Sequence, residues 1–200
     1  MGMPLDLFLA LLAFAAVTAF TPGPNNIMVT ASGVNFGFTR TLPHIFGITL
    51  GFVVLLIGCA AGLGLVFAAY PPLQIVLKIA GAAYMLWLAW KVATAKPATD
   101  NNGPIPQPIS FWQAALFQWV NPKAVVIALS AIAIYVRPEQ WFSDLALLLV
   151  VFAIATILAV ATWTGFGVVL RQLLTDPKYA RLFNLAMAAL LVVSIVPMVI

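Results

Sequence analysis

Charge is what this sequence has least of: only 7% of its 200 residues are Asp, Glu, Lys or Arg. A typical soluble domain carries about 25% charged residues. Hydrophobic residues make up 64% of the chain, and its mean hydropathy is +1.11. These values exclude a soluble domain of useful size. They predict an all-α polytopic membrane protein that forms a single transmembrane domain over residues 1–200.

Cysteine and histidine are each present only once, as Cys59 and His44. One cysteine excludes a disulfide within the chain and a cysteine-based metal site, and Cys59 is interpreted as a small apolar helix residue. There is no HExxH motif, no P-loop and no pair of intramembrane carboxylates, so the sequence predicts no enzyme, no metal and no cofactor. The basic residues are scattered singly, which predicts no nucleic-acid partner.

The apolar residues group into six spans of 20 to 31 residues. A membrane-crossing helix needs about 20 apolar residues, so the first span is too long for one straight helix. The predicted spans are Leu7–Gly37, His44–Ala69, Leu73–Ala93, Phe111–Tyr135, Phe142–Leu170 and Ala180–Val199. A polar, proline-rich linker over residues 94–110 separates a first half, 1–93, from a second half, 111–200. Because each half has an odd number of spans, the second half enters the membrane inverted. The predicted fold is six transmembrane helices in two inverted three-helix repeats.

The first and fourth spans are broken by proline at corresponding positions. Thr21-Pro22-Gly23-Pro24-Asn25-Asn26 interrupts the first, and Asn121-Pro122-Lys123 interrupts the fourth. Proline removes a backbone N–H, Gly23 is expected to adopt dihedrals that other residues resist, and the asparagines are expected to cap the helix that restarts. A broken helix is tolerated in a bilayer only against protein or around a polar cavity. Paired breaks of this kind are typical of a transporter's binding site.

A small zwitterion would find complementary groups at these breaks. Freed carbonyls of Thr18, Phe20 and Gln118 would accept bonds from an ammonium group, and the restarted helix would offer N–H groups to a carboxylate. The alternative is that both breaks are structural kinks. The predicted substrate-binding residues are Pro22, Gly23, Pro24, Asn25, Asn26, Gln118, Asn121, Pro122 and Lys123.

Two ionisable residues, Lys123 and His44, are candidates for proton coupling. A charge in the middle of a span costs ~2.5–3.5 kcal/mol and commonly faces a cavity or a partner, and no Asp or Glu is predicted within a span to pair with Lys123. Its alternatives are to bind a substrate carboxylate or only to bond nearby carbonyls. His44, at the start of the second span, is either a proton relay or an amphipathic anchor at the membrane interface.

Small and polar residues mark two further helix faces. The pairs Gly47/Gly51 and Gly58/Gly62 in the second span predict close helix packing inside the bundle, with a homodimer as the alternative. In the fifth span, Thr162-Trp163-Thr164 is a candidate for lining the cavity.

Lys and Arg lie mainly in the loops after the first, third and fifth spans, which the positive-inside rule places in the cytoplasm. Both termini are then predicted to lie outside. Six basic residues support this orientation and two oppose it: Arg40, Lys91, Lys96, Arg171, Lys178 and Arg181 against Lys78 and Arg137.

Four segments resemble the LysE/RhtB family of amino-acid exporters: FTPGPNNIMV, GFTR followed after three residues by HIFGITLGF, LKIAGAAYMLWLAWKVATA, and FWQAALFQWVNPKAVV. Within that family, TPGPNNI, GAAYMLWLAWK and PISFW are most similar to the cysteine/O-acetylserine exporters. The residues that match the family's characteristic positions are Pro22, Gly23, Pro24, Asn25, Asn121, Pro122 and Lys123.

The resemblance implies a secondary active exporter of small amino acids, of the cysteine/O-acetylserine or threonine/homoserine type. It implies the bacterial cytoplasmic (inner) membrane as the location and the proton gradient as the driving force. From the residues alone, two other functions stay open. One is a non-transporting scaffold or assembly subunit that binds partner helices through the second span, and the other is a channel.

Overall fold

The computed structural model of the protein describes residues 2–95, 107–174 and 176–196, and within those ranges every regular element is helical. The all-α class is therefore confirmed. Most of the predicted linker 94–110 and the predicted end of the sixth span at Val199 lie outside the described residues. The α-helices are α1 Leu5–Phe20, α2 Pro24–Phe36, α3 Phe38–Gly58, α4 Gly64–Ala69, α5 Pro71–Ala93, α6 Phe111–Val120, α7 Pro122–Tyr135, α8 Trp141–Leu173 and α9 Pro177–Val193.

Three stretches of the described chain are long and apolar enough to cross a membrane: Phe38–Gly62, Ile75–Ala93 and Pro138–Leu173. Counting each bent helix pair as one span raises the number to five. The predicted sixth span corresponds to α9, whose 17 residues are not among these candidates. Six spans in two inverted repeats therefore stay a prediction.

Both predicted breaks are present. The axes of α1 and α2 differ by 53°, and those of α6 and α7 differ by 67°. Pro24 and Pro122 each occupy the first position of the helix that follows, where the missing N–H removes no helical bond. The breaks are therefore helix ends followed by new helix starts, which brings free helix termini to the middle of the bundle.

Two predictions about the first break are wrong. Gly23 has φ −167° and ψ 179°, an extended conformation that any residue adopts. What Gly23 provides is space, because a Cβ built on it would lie 2.9 Å from Cδ of Lys123. The predicted side-chain cap of α2 is absent. Asn26 instead donates to the carbonyls of Ala19 and Thr21, both at 3.0 Å, and so satisfies the end of α1.

The second span begins earlier than predicted. Since α3 starts at Phe38, His44 lies more than one turn inside the helix and is fully buried. The interfacial-anchor alternative for His44 is therefore wrong. Past α3, the chain passes through a π-helical turn at Cys59–Leu63, where Gly62 has φ 101°, a value that favours glycine.

The predicted helix packing at the first glycine pair is confirmed, because α3 and α6 cross closely there. A Cβ on Gly47 would overlap the carbonyl oxygen of Phe111, and a Cβ on Gly51 would lie 2.5 Å from Cα of Ala115. This face of α3 is filled by the chain's own helix and is not available to a second copy. A homodimer stays a prediction with no surface assigned to it.

A second close crossing joins α2 to α8. A Cβ on Gly33 would overlap the carbonyl oxygen of Thr164, and one on Gly167 would overlap that of Thr30. The broken first span therefore packs against the fifth span, and the broken fourth span packs against the second. Helices α5 and α9 pack along each other beside this core.

The buried side chains form two apolar clusters. One includes Met28, Ile48 and Phe117, and the other includes Phe52 and Phe152. The helix breaks lie where these two clusters meet.

Candidate functional site

A cavity opens between the two breaks, with about 500 Å³ of empty space counted out to its mouth. Seven of the nine predicted substrate-binding residues line it: Gly23, Pro24, Asn25, Asn26, Gln118, Asn121 and Lys123. Pro22 and Pro122 do not line it, since Pro22 lies in the break itself and Pro122 begins α7. Residues about 100 positions apart in sequence therefore share one polar cavity.

Asn25 and Gln118 link the two breaks through a reciprocal pair of side-chain hydrogen bonds. Asn25 Nδ2 donates to Gln118 Oε1 at 2.8 Å, and Gln118 Nε2 donates to Asn25 Oδ1 at 3.2 Å. Gln118 is fully buried and also donates to the carbonyl of Ala114 at 2.8 Å. The start of α2 is thereby held to the last turn of α6.

Lys123 makes a second link between the breaks. Its Nζ donates to the carbonyl of Thr21 at 2.5 Å, and its aliphatic chain passes over Gly23. Among the described residues no carboxylate pairs with Lys123. The cavity therefore carries one unneutralised positive charge, which favours an anionic group on a ligand.

Two helix starts meet at the same cavity. In α2 the first backbone bond is from Ile27 N–H to the carbonyl of Gly23, and in α7 it is from Val125 N–H to that of Asn121. The N–H groups before those positions have no intrahelical partner, and each helix start carries the positive end of a dipole. Such termini bind carboxylate and phosphate groups, so both helices add to the effect of Lys123.

Whereas Lys123 and the helix starts offer hydrogen-bond donors to the cavity, Asn121 offers a hydrogen-bond acceptor. It is 2% exposed, it lines the cavity, and its Oδ1 has no hydrogen-bond partner in the structure. A buried polar atom without a partner costs roughly 1–3 kcal/mol. A ligand ammonium group that donates to this oxygen would recover that free energy.

The backbone carbonyls at the break are less available than the sequence predicted. The carbonyl of Phe20 accepts a bond from Trp163 Nε1 at 3.2 Å, so the expectation that it is free for a ligand is wrong. Asn26 occupies the carbonyls of Ala19 and Thr21 in the same way. Because side chains already satisfy these carbonyls, Asn121 is the better acceptor for an ammonium group.

The remaining wall of the cavity was not predicted from the sequence. Thr162, Trp163 and Thr164 do not line it, and Thr156 is the polar residue of α8 that does. Apolar side chains complete the lining, among them Ile48, Phe52, Ile127 and Phe152. The site therefore combines a polar end at the breaks with an apolar wall formed by α3, α7 and α8.

His44 lies outside this cavity, although Ile48, one helical turn further along α3, lines it. Both ring nitrogens of His44 lack a hydrogen-bond partner, and the residue is fully buried. The structure therefore does not bring the two proton-coupling candidates, Lys123 and His44, together.

One buried carboxylate lies away from the cavity. Asp144, which was predicted to be terminal or in a loop at the start of the fifth span, is in the first turn of α8 and is 1% exposed. Arg137 donates to it through Nε at 2.7 Å and Nη2 at 2.9 Å. These hydrogen bonds raise the pKa of the Arg137 guanidinium, which stays charged and fixes the turn between α7 and α8.

Comparison with known proteins identifies the family. A family profile described as LysE type translocator matches residues 16–197, nearly the whole chain. The chain belongs to the LysE family. The resemblance that its motifs predicted is therefore confirmed.

Several curated proteins are similar to this LysE-family chain over most of its length. The cysteine/O-acetylserine efflux proteins of Escherichia coli and Shigella flexneri are each 34% identical to it over 184 residues, which cover 90% of both chains. No solved structure matches the chain.

Proposed function

We propose that this LysE-family protein is a secondary active exporter of small amino acids, which it binds in the cavity between the two helix breaks. One observation carries the proposal. Two helix starts and Lys123 converge on a cavity that also contains an unpartnered amide oxygen of Asn121. These groups match the carboxylate and the ammonium of an amino acid.

The substrate carboxylate binds the N–H groups at the start of α2 and α7 and the ammonium group of Lys123. The substrate ammonium donates to Oδ1 of Asn121, which lies buried without a partner. The substrate side chain then faces Phe52, Phe152 and Thr156, which line the other part of the cavity. A small side chain with one polar group suits this mixture of apolar rings and a hydroxyl.

The substrate type rests on the relatives. Curated proteins that are 34% identical to this chain over 184 residues are named for efflux of cysteine and O-acetylserine, which makes those two compounds the first candidates. Threonine and homoserine are the second pair, because they are of similar size and carry the same backbone groups.

Transport proceeds by alternating access in the bacterial cytoplasmic (inner) membrane, with six spans in two inverted repeats and both termini outside. The pairing of helices supports this symmetry. The first span packs against the fifth, and in the same way the fourth span packs against the second. Export is driven by the proton gradient, with Lys123 and His44 as the candidate carriers of the proton.

Counterflow in proteoliposomes tests the proposal. Liposomes preloaded with unlabelled amino acid should accumulate the labelled form transiently when the purified protein is present. The panel is cysteine, O-acetylserine, threonine and homoserine, with leucine and glutamate as compounds of the wrong size and charge. Saturable counterflow with a member of the panel supports a carrier. Flux that neither saturates nor shows counterflow indicates a channel, and no flux at all indicates the scaffold.

A further inference from the structure

A second, smaller cavity lies at the other end of α2, with about 310 Å³ of empty space counted out to its mouth. Its polar lining consists of Ser32 and Asn35 from α2, Lys91 from α5 and Gln107 from the segment before α6. Among the described residues, no carboxylate lines it. This cavity is polar, carries one positive charge, and is distinct from the central cavity at the breaks.

The two cavities share one face of α2. Asn25 lines the central cavity, Ser32 and Asn35 line the second cavity, and Met28 between them lines the second cavity from a buried position. The spacing of three, four and three residues places all four on one side of a helix. Asn25 and Asn35 are ten residues apart, which at 1.5 Å each is ~15 Å along α2, about half the thickness of the hydrocarbon core.

A matching face of α3 lies opposite. Thr41 donates to Oγ of Ser32 at 3.1 Å, which fixes the register of the two helices beside the second cavity. Further along the same face of α3, Ile48 and Phe52 line the central cavity. His44 therefore lies on α3 between Thr41, beside the second cavity, and Ile48, in the lining of the central cavity.

In this stretch of α3, His44 is the residue that most needs an explanation. It is fully buried with both ring nitrogens unpartnered, and neither cavity includes it in its lining. A buried polar group in this condition destabilises the fold. A polar ligand that moved from one cavity to the other along this face of α3 would offer the imidazole a partner.

We infer that the second cavity is a further binding site for the carboxylate of the transported amino acid, centred on Lys91 with Ser32 and Asn35. From this site the substrate reaches the central cavity by passing between Met28 and His44. This inference rests on the proposed function. Lys91 lies near the end of α5 that the distribution of basic residues places at the cytoplasm, so the second site receives substrate before export.

Lys91 has the freedom that such a role needs. Its Nζ lies 3.5 Å from Oε1 of Gln113 and 5.1 Å from the centre of the Trp87 ring. Both partners are uncharged, so a carboxylate that enters the cavity competes with weak contacts only. The wall opposite is rigid, because Asn35 and Asn184 exchange side-chain hydrogen bonds of 2.8 and 3.0 Å.

Thiol labelling tests this site without requiring transport. In a Cys59→Ala background, Ala95→Cys places the only thiol in the lining of the second cavity. The rate of maleimide labelling is measured in purified protein with threonine, homoserine or O-acetylserine, and with ethanolamine, which has the amine but no carboxylate. Cysteine is omitted because its own thiol consumes the reagent. A ligand present at ten times its Kd should slow labelling about tenfold.

Matched variants assign the protection to this cavity. Lys91→Gln should abolish it, whereas Lys78→Gln, on the same helix at an exposed position, should leave it intact. In the double variant Asn25→Ala/Lys123→Ala, counterflow should be lost and protection should remain. Equal protection by ethanolamine, no protection by any amino acid, or loss of protection in the double variant would each overturn the second site.

The passage is tested by enlarging His44, which lines neither cavity. His44→Phe and His44→Trp should reduce counterflow progressively while the protection at Ala95→Cys is unchanged, since only the path between the sites is narrowed. Counterflow at the original rate in His44→Trp would exclude this path. If the parent protein shows no counterflow with any amino acid, the proposed function fails, and the labelling experiment still decides whether the second cavity binds carboxylates.

Discussion

Asn25 and Gln118 hold the two helix breaks together through hydrogen bonds of 2.8 and 3.2 Å, across 93 positions of sequence. Each amide faces the cavity as well as its partner, so the pair both joins the two halves and shapes the site. Loss of either side chain leaves the other with an unsatisfied polar group. The two residues are therefore expected to behave as a unit.

A double-mutant cycle on this pair is the first prediction. Asn25→Ala and Gln118→Ala should each reduce substrate affinity in counterflow, and the double variant should be no worse than the poorer single variant. The expected coupling free energy is about 1 kcal/mol, or roughly a fivefold change in affinity. Thr162→Ala, at an exposed hydroxyl that bonds within its own helix, is the control. Strictly additive effects would show that the two side chains act separately.

Lys123→Met should reduce transport most strongly of the single substitutions. Among the described residues that line the cavity, Lys123 is the one with a charge, and the change removes it and leaves the Thr21 carbonyl without this donor. Loss of a charged hydrogen bond of about 1.5–3 kcal/mol corresponds to a ~10–150-fold lower affinity. Initial rates of counterflow at several substrate concentrations measure the affinity, and immunoblots check that the amount of protein in the membrane is unchanged. Lys78→Met is the matched control, and equal activity of the two variants would remove Lys123 from the site.

Gly23→Ala should impair transport through Lys123 and not through the backbone. The added methyl would lie 2.9 Å from Cδ and 3.2 Å from Nζ of Lys123, so the lysine must move away from the Thr21 carbonyl. The backbone at Gly23 is extended and accepts alanine without strain. We expect a several-fold rise in the concentration for half-maximal counterflow, with an unchanged melting temperature. A lower melting temperature with unchanged affinity would contradict this role.

Gly167→Ala should destabilise the fold, because its methyl group would overlap the carbonyl oxygen of Thr30 on α2. Gly165→Ala, two residues away on the same helix, has open space around the added methyl. Overpacking of this kind costs about 1–3 kcal/mol, whereas the control should be neutral. Thermal unfolding of both proteins in detergent measures the difference. Equal melting temperatures would mean that α2 and α8 separate easily.

His44→Leu tests separately whether His44 affects the stability of the fold and the coupling of export to the proton gradient. Because both ring nitrogens are buried without partners, the apolar replacement should leave stability unchanged or raise it by about 1 kcal/mol. If His44 carries the coupled proton, export driven by an imposed pH gradient should fall while counterflow without a gradient persists. Gradient-driven export at the parent rate would leave Lys123 as the remaining candidate.

The features predicted correctly from the sequence are those set by short-range chemistry. Proline removes a backbone hydrogen bond from a helix interior, so the breaks near Pro22 and Pro122 were predictable from the sequence. Pro43, by contrast, lies inside α3 without ending it. Glycine spacing likewise predicted the close crossing at Gly47 and Gly51. These effects depend on neighbours along the chain and need no knowledge of the bundle.

What the sequence did not predict is the rotation of each helix about its axis. In water an apolar stripe marks the buried face, but in a bilayer lipid-facing and core-facing residues are equally apolar. Thr156 and Phe152 therefore gave no more signal than Thr162 and Thr164, and only the first two line the cavity. The burial of His44 was missed for another reason, because α3 begins at Phe38 and not at His44 as predicted.

The glycine crossings also constrain how this bundle can deform. At Gly33 with Gly167, and at Gly47 with Gly51, backbone lies directly on backbone, so neither contact has a side chain that could rearrange to absorb sliding. Each crossing fixes one segment of a broken span against an unbroken helix. Any large rearrangement must then be concentrated in the short joints at Thr21–Gly23 and Asn121. The protein groups that are proposed to bind the ligand lie at those joints, so their separation would change with each conformational change.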